Sequence, residues 1–326
     1  MRESANQAAT LRALHPARIP ILGCLLILAI SGIGTAAPQS GTSAAVALPL
    51  DHALICTSDL AVTEAAFTAV GLRPDYGGHH GHARTQMAQL GFPDGTYIGI
   101  EAPLVPGAAT GTMQSELMLA NAGPCGWSMT SIDLHRDLER VAKLGVIAGA
   151  PEPRSRKRPD GTLAAWQSAS LGPGAPGSKL PFLMEDKTPR KFRAPRTSAS
   201  IQGTGITGVG IVVLGVKNLD ESAALFRKVF GWPAPRIEDH PEFGAKLAYF
   251  SGTPVVLAAA SAPDSWVAKR IARLGECPVA FLLHTSDFHL TQGLFSLAPS
   301  ARWFGLEVSW FSLDQLHGIR LGIVGK

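Results

Sequence analysis

Three imidazoles fall within four residues, at His79, His80 and His82, and Arg84 follows two positions on. Imidazole titrates near neutral pH, so such groups can move protons, and they also ligate divalent metals. Side chains alternate in an extended chain, so adjacent His79 and His80 point apart, and the flanking glycines read as a loop. We assign His79, His80 and His82 to acid–base work or substrate contact, and Arg84 to holding an anionic carboxylate. An ordinary polar loop with a surface arginine is the plain alternative. A fourth imidazole, His52, stands alone in the apolar run Asp51-His52-Ala53-Leu54-Ile55-Cys56. It reads either as a metal ligand, suited to Zn, Fe or Ni, or as a buried, hydrogen-bonded core histidine.

The elements that must position these residues form a repeat. An apolar strand, an Asp or Asn and an amphipathic helix recur four times, with the polar residue at Asp59, Asp133, Asn218 and Asp287. Each is a good helix N-cap, and glycines such as Gly71 end the helices. Seven residues before the caps stand His52, Gly126, Ile211 and Ala280. Only the first can do chemistry, which confines the expected site to the first copy. Hairpin-like strands follow each helix, for example 85–92 and 97–102 around Pro93-Asp94-Gly95. The expected fold is therefore α+β, built of repeated β-α-β-β-β modules, and not a helical or doubly wound one.

Residues 1–37 read as an export signal, with Arg2, Arg12 and Arg18 ahead of an apolar run that ends in small residues. That run is short for a membrane span. The expected location is periplasmic or secreted, with membrane contact only through an uncleaved N-terminal segment. Residues 38–48 are a linker, 49–186 a first domain of two modules, 187–205 a second linker rich in Lys, Arg and Pro, and 206–326 a second, degenerate domain. The basic clusters 154–158 and 187–196 sit among prolines and read as solvated loops, so nucleic acid is excluded as a partner. Cys56 reads as a small buried hydrophobe; two of the widely spaced cysteines can still pair. Arg158-Pro159-Asp160-Gly161 is a turn, and Trp166 and Phe182 are expected in the core. Neither a phosphate-cradling glycine loop nor a serine nucleophile elbow is present.

Several segments occur together and in order: Leu50-Asp51-His52, residues 77–85, Asp94-Gly95-Thr96-Tyr97-Ile98, Arg158-Pro159-Asp160-Gly161-Thr162 with Trp166, and Leu180-Pro181-Phe182-Leu183. In this combination residues 49–186 resemble the glyoxalase-like domain family of the vicinal oxygen chelate superfamily. Residues 206–326 resemble a more divergent paired-module domain. The resemblance implies curled sheets pairing into cups, and frequently a divalent metal (Zn, Fe, Mn or Ni) held by residues of the first and last strands. Carried over by position, the implied ligands are His52, Glu101 and Glu185. Glu101 stands two residues beyond the family's usual carboxylate, on the same face of its strand. The implied function is a metal-dependent lyase, isomerase or dioxygenase acting on a small oxygen-rich molecule in the first cup. The alternative is a non-catalytic protein that sequesters a small molecule; a homodimer is a further expectation.

Overall fold

Strand β1 (Leu50–Cys56) shows how alternation assigns faces. Ala53 and Ile55 enter the main apolar core, whereas His52, Leu54 and Cys56 turn to the concave side of the sheet. The next element, α1 (Leu60–Ala69), starts at Asp59, whose carboxylate accepts from the amides of Ala61 and Val62 at 2.9 and 3.3 Å. The computed structural model describes residues 48–80 and 84–326. The expected export signal, most of the 38–48 linker and His82 lie outside the described residues.

After α1 come β2 (Asp75–His80), β3 (Thr85–Gly91), β4 (Tyr97–Pro103) and the short α2 (Ser115–Leu119). The second module holds β5 (Gly123–Thr130), α3 (Leu134–Lys143), β6 (Glu152–Lys157), β7 (Leu163–Ala169) and β8 (Phe182–Asp186). These eight strands close into a barrel in the order β1-β4-β3-β2-β6-β7-β8-β5. β1 runs parallel to β4 and antiparallel to β5, with His52 opposite Tyr97 on one side and Ser128 on the other. Closure is made by β2 and β6, where His79 faces Lys157 and His80 faces Arg156. Gly78 makes that closure possible. Its φ is +102°, and a Cβ there would lie 2.5 Å from the Lys157 carbonyl oxygen, so only glycine fits the bulge.

The second half repeats the plan with β9 (Ile206–Val216), α4 (Leu219–Phe230), β10 (Arg236–His240), β11 (Ala245–Tyr249), β12 (Val255–Ala260), α5 (Trp266–Leu274), β13 (Pro278–Thr285), α6 (Phe288–Leu294), β14 (Ala301–Trp303), β15 (Leu306–Trp310) and β16 (Leu321–Gly325). Its eight strands form one curled sheet, β10-β11-β12-β9-β13-β16-β15-β14. The fold is α+β with paired β-α-β-β-β modules, as expected. The four strands that hydropathy did not reveal are β2, β6, β10 and β14. Each carries exposed polar residues, so no apolar alternation marks it.

The convex faces of the two halves share one apolar core. Trp127 of β5 stacks on Phe226 of α4 at 6.3 Å, and both are fully buried. Burial of each such ring contributes on the order of 2–3 kcal/mol. Polar contacts fix the register between the halves. The Val209 amide donates to Thr96 Oγ1 at 2.9 Å, and Arg140 Nη1 donates to the Val229 carbonyl at 2.6 Å.

One reading of the sequence is corrected here. Cys56 is not a free hydrophobe but is disulfide-bonded to Cys125, tying β1 to β5, while Cys277 remains a buried thiol. The segment 187–205, read as a linker, packs against the first barrel. It forms two 3-10 turns, Arg190–Phe192 and Ala199–Ile201, and lies along β3, where Ser198 and Gly91 exchange two hydrogen bonds. Among the described residues, no helix is long and apolar enough to cross a membrane.

Candidate active site in the first cup

The concave side of the barrel holds an open cavity of about 380 Å³, lined among others by His52, Glu101, Arg154, Arg156, Trp166 and Phe182. β1 and β4 supply the first two by alternation, and the β6 edge supplies the arginines. Trp166 and Phe182, expected as core, form its apolar wall. The strap from Gly172 crosses over β5. A Cβ on Gly177, at φ +78°, would fall 2.6 Å from the Trp127 nitrogen, and this close passage brings Pro176 against the cavity.

His52 is held on every side but one. Its ring stacks on Tyr97 at 4.5 Å with 5° between planes, and meets Phe182 edge-on at 5.5 Å. Nδ1 lies 2.7 Å from Asp51 Oδ1 and 2.7 Å from Ser128 Oγ. Asp51 is ionised. Burial opposes that charge, but Arg193 and the hydrogen bonds from His52 and Arg193 outweigh it and hold the carboxyl well below the usual carboxylate range. An ionised carboxylate only accepts, so this network assigns the proton of His52 to Nδ1. Nε2 then carries a lone pair and has no hydrogen-bond partner among the described residues. Burial lowers the His52 pKa, against the opposing pull of Asp51, so the ring stays neutral at pH 7.

Asp51 is itself the hub of a buried network. Arg193 grips it through two bonds of 2.8 Å and grips Asp186 through bonds of 2.6 and 3.0 Å. Arg193 Nη1 also reaches the Tyr97 hydroxyl at 2.9 Å. Arg190 and Thr130 complete the shell, the latter donating at 2.7 Å. A carboxylate with this many donors cannot swing, and neither can the imidazole it holds.

Glu101 faces the same cavity four residues along β4 from Tyr97. Burial pushes its carboxyl up to about 7, against the charges of Arg156 and Arg154. His80 Nε2 stands 3.7 Å from Glu101 Oε1, and its Nδ1 is 2.8 Å from Thr85 Oγ1.

The structure brings together His52, His80 and Glu101 from the expected residues, and leaves the others elsewhere. Glu185 lies on the face of β8 opposite Met184, which lines the cavity. It accepts from the Leu134 amide at 3.1 Å and pairs with Lys187, so it serves the start of α3. Period-two alternation explains the misassignment: one residue of register moves a side chain to the other face. His79 is exposed and meets Tyr76 edge-on at 6.1 Å. Arg84 is exposed too and does not line the cavity. Among the described residues, no three His, Cys, Asp or Glu side chains converge as a metal site would need. The implied set of His52, Glu101 and Glu185 therefore does not fit a metal.

Asp51, Tyr97, Arg154, Arg156 and Arg193 were given no chemical role from the sequence. The basic clusters expected to be solvated contain the buried Arg156 and Arg193. One signal was available: Arg154 and Arg156 alternate with other residues, as a strand with an inward polar face requires.

A model of the glyoxalase-like domain matches residues 50–230. The chain belongs to that family, within the vicinal oxygen chelate superfamily. The match runs through the strap at 187–205 and on to the end of α4. A crystal structure of a hypothetical protein from Staphylococcus aureus is similar over 86% of this chain and 100% of that one, at 11% identity and a TM-score of 0.55, which shows the fold alone. Methylmalonyl-CoA epimerases from Streptomyces coelicolor and Mycobacterium tuberculosis are similar over 37% and 38% of this chain and 98% and 90% of theirs, at 18% and 16% identity, each with a TM-score of 0.33. No match to a curated protein was found.

Proposed function

We propose that the first cup is the active site of an enzyme that transfers a proton on a small, oxygen-rich molecule, a lyase or isomerase reaction. The observation that carries this reading is the Asp51–His52 pair, with Nδ1 held by a buried carboxylate and Nε2 left as a base toward the cavity. A base so oriented needs no reorganisation before it acts. His52 Nε2 takes a proton from a carbon beside a carbonyl, and the C–H electron pair moves onto the carbonyl oxygen. Glu101, whose carboxyl burial pushes up to about 7, supplies a proton to the substrate at the other end. The register His52–Tyr97 and Cys56–Glu101 sets the two groups about 13 Å apart along the strand at their Cα atoms. A small molecule fills the space between their side chains.

We propose further that the protein works outside the cytoplasm, in keeping with its N-terminal sequence. The Cys56–Cys125 disulfide supports this, because such bonds persist in oxidising compartments.

The test is exchange of carbon-bound hydrogen in D2O, followed by proton NMR on a panel of 2-oxo acids, 2-hydroxyacyl thioesters and hemithioacetals of dicarbonyls. Wild type is expected to wash out the hydrogen beside the carbonyl of at least one compound. His52→Gln should slow that exchange by about 10²–10⁴-fold. Binding without exchange across the panel would leave the cup as a sequestering pocket and overturn the enzyme reading.

A further inference from the structure

Arg156 is fully buried, 2% exposed, in the cavity wall. Its hydrogen-bond acceptors are all neutral. Nη1 donates to the Met87 thioether, and Nη2 donates to Gln89 Oε1 at 3.1 Å and to the Arg193 carbonyl at 2.7 Å. Nε is buried with no acceptor. The other cavity arginines are compensated: Arg193 by Asp51 and Asp186, and Arg154 by Glu152. Among the described residues, no carboxylate lies in ion-pair contact with Arg156. The Glu101 charge reaches it only from beyond that range.

A buried cation without a counterion is costly, and proteins retain one where a partner ion arrives. We propose that Arg156 is the anion-recognition residue of the cup and holds a carboxylate of the substrate, an inference that rests on the reading of the cup as a substrate site. One uncompensated positive charge balances one carboxylate, and the planar guanidinium matches its two oxygens. Met87 is the element that yields. A thioether is a weak acceptor, so an incoming carboxylate outcompetes it for Nη1. The substrate class is thereby narrowed to small carboxylic acids with a carbonyl or hydroxyl oxygen nearby.

The test compares each 2-oxo and 2-hydroxy acid with its own methyl ester, by isothermal titration calorimetry and by quenching of tryptophan fluorescence, since Trp166 lines the same cavity. The acids are expected to bind wild type about tenfold or more tighter than the esters, the discrimination of a charge-assisted hydrogen bond. Arg156→Gln should remove that difference, and Arg156→Lys should restore part of it, which loss of folding alone would not do. Equal affinity of acid and ester for wild type, or no binding of any acid, overturns the proposal without needing a variant. So does tighter binding of inorganic phosphate than of every acid, which would identify a different anion. His52→Gln is expected to retain acid-over-ester discrimination while losing hydrogen exchange, so failure of the base and failure of the anion site are read separately.

Discussion

The two curled sheets of this protein share a topology but treat their concave faces in opposite ways. In the first, the inward positions of β1 and β4 carry His52 and Glu101 beside an open cavity. In the second, Ile211 and Ala258 occupy the corresponding register positions and belong to an apolar cluster. That cluster is filled by rings. Phe243 packs against Trp303 at 4.8 Å, Trp266 at 5.1 Å and Trp310 at 5.5 Å, and Arg320 lies 3.7 Å above Trp266. The edges differ as well. β2 and β6 pair directly, whereas β10 and β14 are bridged by Arg236 to the Phe304 carbonyl and by the Phe304 amide to Glu238. A duplicated module thus becomes a site or a core according to whether polar or aromatic side chains stand inward. The first half gives up packing for a cavity, and the disulfide and the Asp51–Arg193 network stiffen the wall around it.

That contrast can be broken most sharply at Asp51, whose counterpart in the second half is Gly210. Asp51→Asn should destabilise the protein by about 3–5 kcal/mol in urea unfolding, because Arg193 and Arg190 lose their buried counter-charge. Reducing the disulfide comes next. It spans 69 residues, and Cys56→Ser with Cys125→Ser should cost about 4 kcal/mol in the same measurement. Phe243→Ala in the filled cup should cost about 3–4 kcal/mol through the cavity it creates. The same truncation at Trp166, which already faces a cavity, should cost less in stability and more in ligand binding. If both truncations cost the same, the contrast between an open and a filled cup is lost.

Glu101 gives the pH test. Its carboxyl in the folded protein titrates near 7, above the ordinary glutamate value, so its contribution to stability is complete below about pH 4.5 and is lost as pH rises through 7. Glu101→Gln should therefore match wild type at pH 4.5 and exceed it by about 3 kcal/mol at pH 8.5. His52 works in the other direction. Its pKa is depressed, so its contribution is present above the ordinary histidine value and declines as pH falls. The smallest effect is expected at His79. It is exposed, and His79→Ala should change the melting temperature and hydrogen exchange within error.

Much of the fold was legible from residue patterns. Asp59, Asp133, Asn218 and Asp287 each accept from backbone amides at the start of their helices, a purely local interaction. His52 could be picked out because, Asp51 apart, the rest of its strand is apolar. The roles of its neighbours could not be read in this way. Asp51, Arg190 and Arg193 meet across about 140 residues of chain, and composition marked the two arginines as solvated.

The sequence by itself determined the repeat, the strands with apolar alternation, the helix starts and the histidine that only the first copy carries in its leading strand, because each depends on neighbours a few residues apart. Only the tertiary structure decided which face Glu185 takes, that Cys56 finds Cys125, and that Arg156 is buried without a counterion. Those outcomes depend on strand register and barrel closure, where a shift of one residue reverses which side chains face the cup.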